Sequence, residues 1–206
     1  MNASKRYRVW IWATTSWALL TLSFAFANLT ACHSKHDTRR IPSSGPSTDA
    51  SLDLLQTGSV EQRLSSIIEL EKTIKRSAIP DLIKSASRDS DARVREAAAI
   101  AAVTIGSAGY GDTAREIVRR LVSTRVSPSF AGDSLRLALY NILSEAGVSM
   151  VVDYTGSGTT GDSSVNYKAK NVTVAEAVCS ILANSGGRWT FEVHERLFIQ
   201  PAESNQ

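Results

Sequence analysis

The chain has 206 residues, of which 43% are hydrophobic and 21% charged, enough for one or two small domains and too apolar for wholesale disorder. Its formal net charge of +3 is matched by Lys5, Arg6 and Arg8, which precede the first acidic residue, Asp37; beyond residue 31 the chain is formally neutral. That balance argues against a strongly basic nucleic-acid binder, and no nucleic-acid partner is expected.

Residues 9–31, VWIWATTSWALLTLSFAFANLTA, form an uncharged, largely apolar run directly behind the basic cluster, the layout of an export signal. Its length would also suit a membrane anchor, since about 20 apolar residues span a bilayer. The run ends in Leu29-Thr30-Ala31-Cys32, which resembles the bacterial lipobox. The resemblance implies a signal peptide over 1–31, cleavage between Ala31 and Cys32, and acylation of Cys32, whose thiol is the good nucleophile in that stretch. Two or three acyl chains, at about 0.8 kcal/mol per buried methylene, would hold the protein to a membrane. His33 rather than Asp follows the cysteine, which in the sorting rule of enterobacterial lipoproteins implies the outer membrane, facing the periplasm. Cys179 is then the sole remaining thiol, leaving no disulfide within the chain, and it has the setting of a small buried hydrophobe.

Residues 32–58 mix charges, Ser, Thr, Pro and Gly with few apolar side chains, a composition expected of a flexible tether or of a recognition segment. His33 and His36 fall here without the carboxylates or cysteines that would complete a metal site, so no metal or other cofactor is expected.

From Val60 the period becomes helical, with Val60, Leu64, Ile67, Ile68 and Ile74 predicted on one buried face. Pro80 fits the first turn of a second, short helix. In DSDARVREAAAIAAVTIG, Asp91 is a predicted cap, the alanines offer a surface for close helix approach, and Gly106 is predicted to end the helix. This block, with its Val94-Arg95 pair, resembles the first helix of a HEAT repeat, and GDTAREIVRRLVS would be the second. VEQRLSSIIELEKTI with IPDLIKSAS gives a looser copy, so the resemblance implies two HEAT-like repeats over 59–125; a generic four-helix arrangement is the alternative. Repeats bury their core by stacking on neighbours, so a pair is expected to lean on another domain or a partner. Arg115, Arg119 and Arg120 form a basic strip interrupted by Glu116, read as a solvated face or as a site for an acidic partner.

Beyond Val126 helices and strands mix. A short strand is expected over 126–130, then a helix capped by Asp133 and ended by Gly147, with Leu135, Leu139, Ile142 and Leu143 buried. VSMVVDY is a predicted strand. The loop YTGSGTTGD that follows holds Gly156, Gly158 and Gly161 in the spacing G-x-G-x-x-G, but a nucleotide-binding loop opens a helix, whereas SSVNYKAKN alternates as a strand. Two strands joined in this way predict a hairpin. A second helix begins at Thr173, with Val174, Ala177, Val178, Ile181 and Leu182 buried, and Trp189, Phe191 and Val193 then alternate against Leu197 and Ile199 about a turn at Glu195. The order β-α-β-β-α-β-β over 126–200, with NVTVAEAVCSIL and SGGRWTFEVHERLFI as its most specific portions, resembles the short N-terminal (STN) domain of secretins and TonB-dependent receptors. The resemblance implies an interaction module, here without the pore that usually follows it. The expected architecture is thus multidomain: a HEAT-like helical pair, a small α+β domain and a tail at 201–206.

No catalytic constellation is visible. His194 is the sole histidine outside the tether and is placed at a strand end or turn; Asp153, Ser157, Thr159 and Thr160 read as loop chemistry in the absence of a partnering base. Residues 59–125 carry 12 basic and 9 acidic side chains and residues 126–206 carry 5 and 8, so their net charges are +3 and −3, which favours docking of one part on the other. The expected function is a lipid-anchored cell-envelope adaptor that binds a protein, a secretin or another secretion or pilus component being the partner the resemblance implies, and that is not an enzyme. A signalling or ligand-sensing module is the alternative, and an unrecognised hydrolase a third.

Overall fold

Residues 48–155 and 161–202 are described by a computed structural model. The contacts divide the chain into Met1–Pro42, outside the described residues, and a second unit, Ser43–Gln206. Within the second unit the fold is mixed α/β. Its first part is helical: α1 (Thr48–Thr57), α2 (Val60–Lys72), a 3-10 turn at Arg76–Ala78, α3 (Ile79–Arg88), α4 (Ala92–Ser107) and α5 (Asp112–Ser123). Then come β1 (Arg125–Val126), β2 (Ser129–Ser134), α6 (Leu135–Glu145), β3 (Met150–Val152), β4 (Ser164–Lys168), β5 (Val172–Thr173), α7 (Val174–Asn184), β6 (Trp189–Val193) and β7 (Leu197–Pro201). With the two-residue strands β1 and β5 set aside, the order beyond Val126 is β-α-β-β-α-β-β.

Local chemistry fixes the helix starts. Ser59 and Gln62 form a reciprocal capping box on α2, Asp91 accepts from the Arg93 N–H at α4, and Thr173 accepts from the Glu176 N–H at α7. The cap of α6 is Ser134, which accepts from the Leu137 N–H; the expected cap Asp133 instead accepts from the Ala131 N–H within β2. Gly147 ends α6 at φ +62°, a backbone conformation that glycine adopts without a Cβ penalty.

Three further expectations are corrected. Within the stretch read as a tether, Thr48–Thr57 form α1, which packs on α2 and buries Leu55 to 1% exposure. On α2 the buried residues are Ser66, Ile67 and Leu70, whereas Ile68 and Ile74 are 62% and 54% exposed; Ile74 follows the helix end with φ +52°, which turns it out of the apolar stripe. The glycine loop joins no hairpin. β4 does follow it as a strand, but β3 pairs in parallel with β7 while β4 pairs antiparallel with β2, so the loop crosses between sheets. Gly156, Gly158, Ser157, Thr159 and Thr160 lie outside the described residues.

The three-stranded sheet has the order β3-β7-β6, with the last strand in the middle. Trp189, Phe191, Val193, Leu197 and Ile199 on its inner face are essentially inaccessible. α7 packs against α3, α4, α5, α6 and β4, and every residue from Val174 to Leu182 is buried. A helix buried on all sides belongs at the centre of a core, and its polar residues Glu176 and Ser180 are buried with it. Cys179 sits within it, its thiol pushed up to about 12 by burial.

The helical and α+β parts share this core. Gly106 lies in the last turn of α4, one residue before the helix ends at Ser107, and a Cβ there would stand 2.9 Å from the Phe191 carbonyl oxygen and 3.1 Å from its ring. α4 therefore packs closely on β6 at Phe191, and α3 also contacts that strand. Two ion pairs join the positive and negative parts of the sequence: Arg76 with Glu192 at 2.9 Å, and Arg95 with Glu176 at 3.3 Å.

Candidate interaction surface

α3 and α4 pack against β6, and the other edge strand of the three-stranded sheet is β3. The Leu197 N–H donates to the Ser149 carbonyl and the Asp153 N–H to the Ile199 carbonyl. Since alternate residues of a parallel strand face the same neighbour, Val151 also bonds toward β7, and the backbone groups of Met150 and Val152 point outward. No described strand pairs with that edge.

Beside it runs a groove of about 930 Å³, formed by the outer face of α6, the Gly147 turn and the start of β3. Leu143, Val148 and Met150 contribute apolar surface, and Leu137 and Tyr140 form a wall. α6 already satisfies the core through Leu135, Leu139, Ile142 and Leu143, none more than 3% exposed. Leu137 and Tyr140 are off that stripe, one helical turn apart, and 47% and 63% exposed. Val151, on the opposite face of β3, is 40% exposed. Arg136 is the charged residue of the lining, and among the described residues it forms no ion pair.

The arginine strip on α5 is internally paired. Arg115 bonds Asp112; Arg119 donates twice to Glu116 at 2.7 Å; Arg120 donates to Glu116 at 2.8 Å and reaches the Gly147 carbonyl at 3.4 Å. These bonds, Arg119's first, hold the Glu116 carboxyl at about 2. Three guanidiniums share two carboxylates, so the strip's net charge is +1 and its end borders the groove.

A polar cluster that sequence reasoning missed lies where the helical part meets the hairpin. Glu192 accepts from Arg76 Nη1 at 2.9 Å and from the Tyr110 hydroxyl at 2.9 Å, and its carboxylate lies 2.8 Å from His194 Nε2. The His194 ring stacks on Tyr110 at 3.6 Å between centroids, with Phe198 at 5.1 Å. His194 stands at the strand end, as expected, and a cleft of about 380 Å³ opens beside it against the start of α5. The hydroxyls of Tyr110 and Thr113 and the His194 ring line that cleft, and the Tyr110 hydroxyl and His194 Nε2 are both engaged with Glu192. Asp153 makes an Asx-type turn with Thr155, whose hydroxyl and backbone N–H both donate to it.

Ala31, Cys32, His33 and His36 lie outside the described residues. Among the described residues no cluster of His, Cys, Asp and Glu could hold a metal, and no helix is long and apolar enough to cross a membrane. No family model, curated protein or solved structure matches the chain.

Proposed function

We propose that the protein is a lipid-anchored adaptor of the bacterial cell envelope that binds another protein through the α6–β3 surface and performs no catalysis. The observation that carries this reading is the β3 edge, with which no described strand pairs, beside a groove whose apolar wall, Leu137 and Tyr140, the core does not need. Single exposed apolar residues are ordinary on a surface, but a row of them along an open strand edge is the geometry of strand-addition and groove recognition. The lipobox-like Leu29 to Cys32 supports an anchor at Cys32, and His33 rather than Asp after it supports the outer membrane, facing the periplasm. The HEAT-like character of residues 59–125 and the STN-like order beyond Val126 favour a protein-binding role and make a secretin or another secretion-system component the partner class to examine first. Arg115, Arg119 and Arg120, largely neutralised by their own acids, serve as the rim rather than the centre of that contact.

Affinity purification from gently solubilised envelopes tests this function. A discrete partner should be retained by the native chain and lost with Tyr140→Lys; recovery of the protein alone would contradict the proposal. The cleft beside His194 favours a second reading, a ligand-sensing module, which a thermal-shift screen with nucleotides and cell-wall fragments would reveal, since a ligand at about 100 times its Kd stabilises by about 2.7 kcal/mol.

A further inference from the structure

Building on the adaptor function, we infer that the β3 edge takes an extended partner segment as a fourth strand of the β3-β7-β6 sheet, with alternate apolar side chains entering the α6–β3 groove and a carboxylate pairing with Arg136.

The backbone argument comes first. Met150 and Val152 offer outward donors and acceptors two residues apart, the spacing at which a neighbouring strand presents its own. A partner helix laid over Leu137 and Tyr140 would shield those groups from water without satisfying them, which is unfavourable. An extended segment satisfies them and covers the same apolar wall.

Side-chain period supplies the second constraint. Met150 lines the groove while Val151 faces the other side of the sheet. Every second side chain of an added strand would lie over Leu143, Val148 and Met150 between the sheet edge and Tyr140, and the intervening ones would lie beside exposed Val151. Such a segment reads as apolar-polar alternation.

Charge fixes the last feature. α6 runs back along β3 through the Gly147 turn, which puts Arg136, at the start of the helix, by the far end of the strand. The Arg136 N–H donates to the Gly161 carbonyl, and its charge acts on Tyr154, just beyond β3. A guanidinium with no ion pair among the described residues, bordering an apolar groove, selects a carboxylate at one end of the occupant. At the other end Arg120 reaches the Gly147 carbonyl but is already bonded to Glu116, and the rest of the lining is apolar or carries the hydroxyls of Ser134, Ser144 and Ser149.

The test is selection of a random-peptide display library on the full detergent-solubilised chain, followed by affinity measurements on enriched peptides. Expected are sequences of alternating apolar residues with Asp, Glu or the C-terminal carboxylate at one end. Arg136→Glu should weaken them at least about tenfold, and Arg136→Lys less. Val152→Pro should weaken them comparably, because it removes an outward N–H and leaves the bonds to β7 in place. Enriched peptides that lack an acidic group, or that bind the Arg136→Glu and Val152→Pro chains as well as the native one, would overturn the inference, as would no enrichment at all. The adaptor function fails separately: an envelope partner lost with Tyr140→Lys but retained with Arg136→Glu sinks only the recognition mode, whereas no envelope partner sinks the function itself.

Discussion

Arg95 Nε stands 3.3 Å from Glu176 Oε1, an ion pair across 81 positions that ties α4 to the central helix α7. Burial raises the Glu176 carboxyl, and the Arg95 hydrogen bond and charge oppose that rise. A carboxyl raised in the fold contributes most below its unfolded pKa, and the contribution is lost as pH climbs through the folded value. Arg95→Ala removes the opposing charge, so its cost should grow with pH. Urea unfolding is expected to show a loss larger at about pH 7 than at about pH 4, by about 1–3 kcal/mol. A loss independent of pH would show that Arg95 acts only through its bonds to the Asp89 and Ser90 carbonyls.

The contact of α4 with β6 depends on a missing side chain. At Gly106 a methyl group would meet the Phe191 backbone at 2.9 Å, and a backbone carbonyl cannot rotate away as a side chain can. Overpacking of this kind costs about 1–3 kcal/mol, against about 1 kcal/mol that alanine gains in a helix interior. Gly106→Ala should therefore lower stability by up to about 2 kcal/mol in denaturant titration; a stabilised variant would mean that α4 does not lie so close to β6.

Ile74 presents the opposite case, a β-branched residue at φ +52° that is 54% exposed. The left-handed conformation costs an L-residue about 1–2 kcal/mol, and little burial offsets it. Ile74→Gly is expected to stabilise the protein, or at least leave it no weaker, by calorimetry. A clear loss would assign Ile74 a packing role that its exposure conceals.

Glu192 should shape the acid limb of stability. Its carboxyl is lowered first by the His194 hydrogen bond and then by Tyr110 and Arg76. A depressed carboxyl contributes above its unfolded pKa, and that contribution is lost as pH falls through the folded value. Glu192→Gln should flatten the decline of stability on the acid side of the ordinary carboxylate range. An unchanged acid limb would mean that the cluster's bonds are equally present in the unfolded chain.

What was legible in the sequence was local. Caps at Asp91 and Thr173, the buried stripe Leu135, Leu139, Ile142 and Leu143, and the alternation about Glu195 each depend on neighbours within a few residues. The pairing of β3 with β7 does not: nothing between Met150 and Leu197 marks their register, and two successive strands default to a hairpin. The cluster of Arg76, Tyr110, Glu192 and His194 is similarly assembled from distant segments. For the groove a signal was present. Leu137 and Tyr140 are the apolar residues of α6 that its buried stripe does not account for, and such surplus is what a surface reserved for contact leaves in a helical pattern. Ile68 carries the same signal on α2, where the buried Ile67 beside it hides the surplus within the stripe.

Site-specific photo-crosslinking in intact cells tests the adaptor function most directly. A photoreactive amino acid replacing Tyr140, on the groove wall, is compared with one replacing Lys84, an exposed position on α3. The expected result is a discrete higher-mass adduct from position 140 that is absent from position 84. No adduct from position 140, or the same adducts from both, would contradict the assignment of the α6–β3 surface to a protein partner.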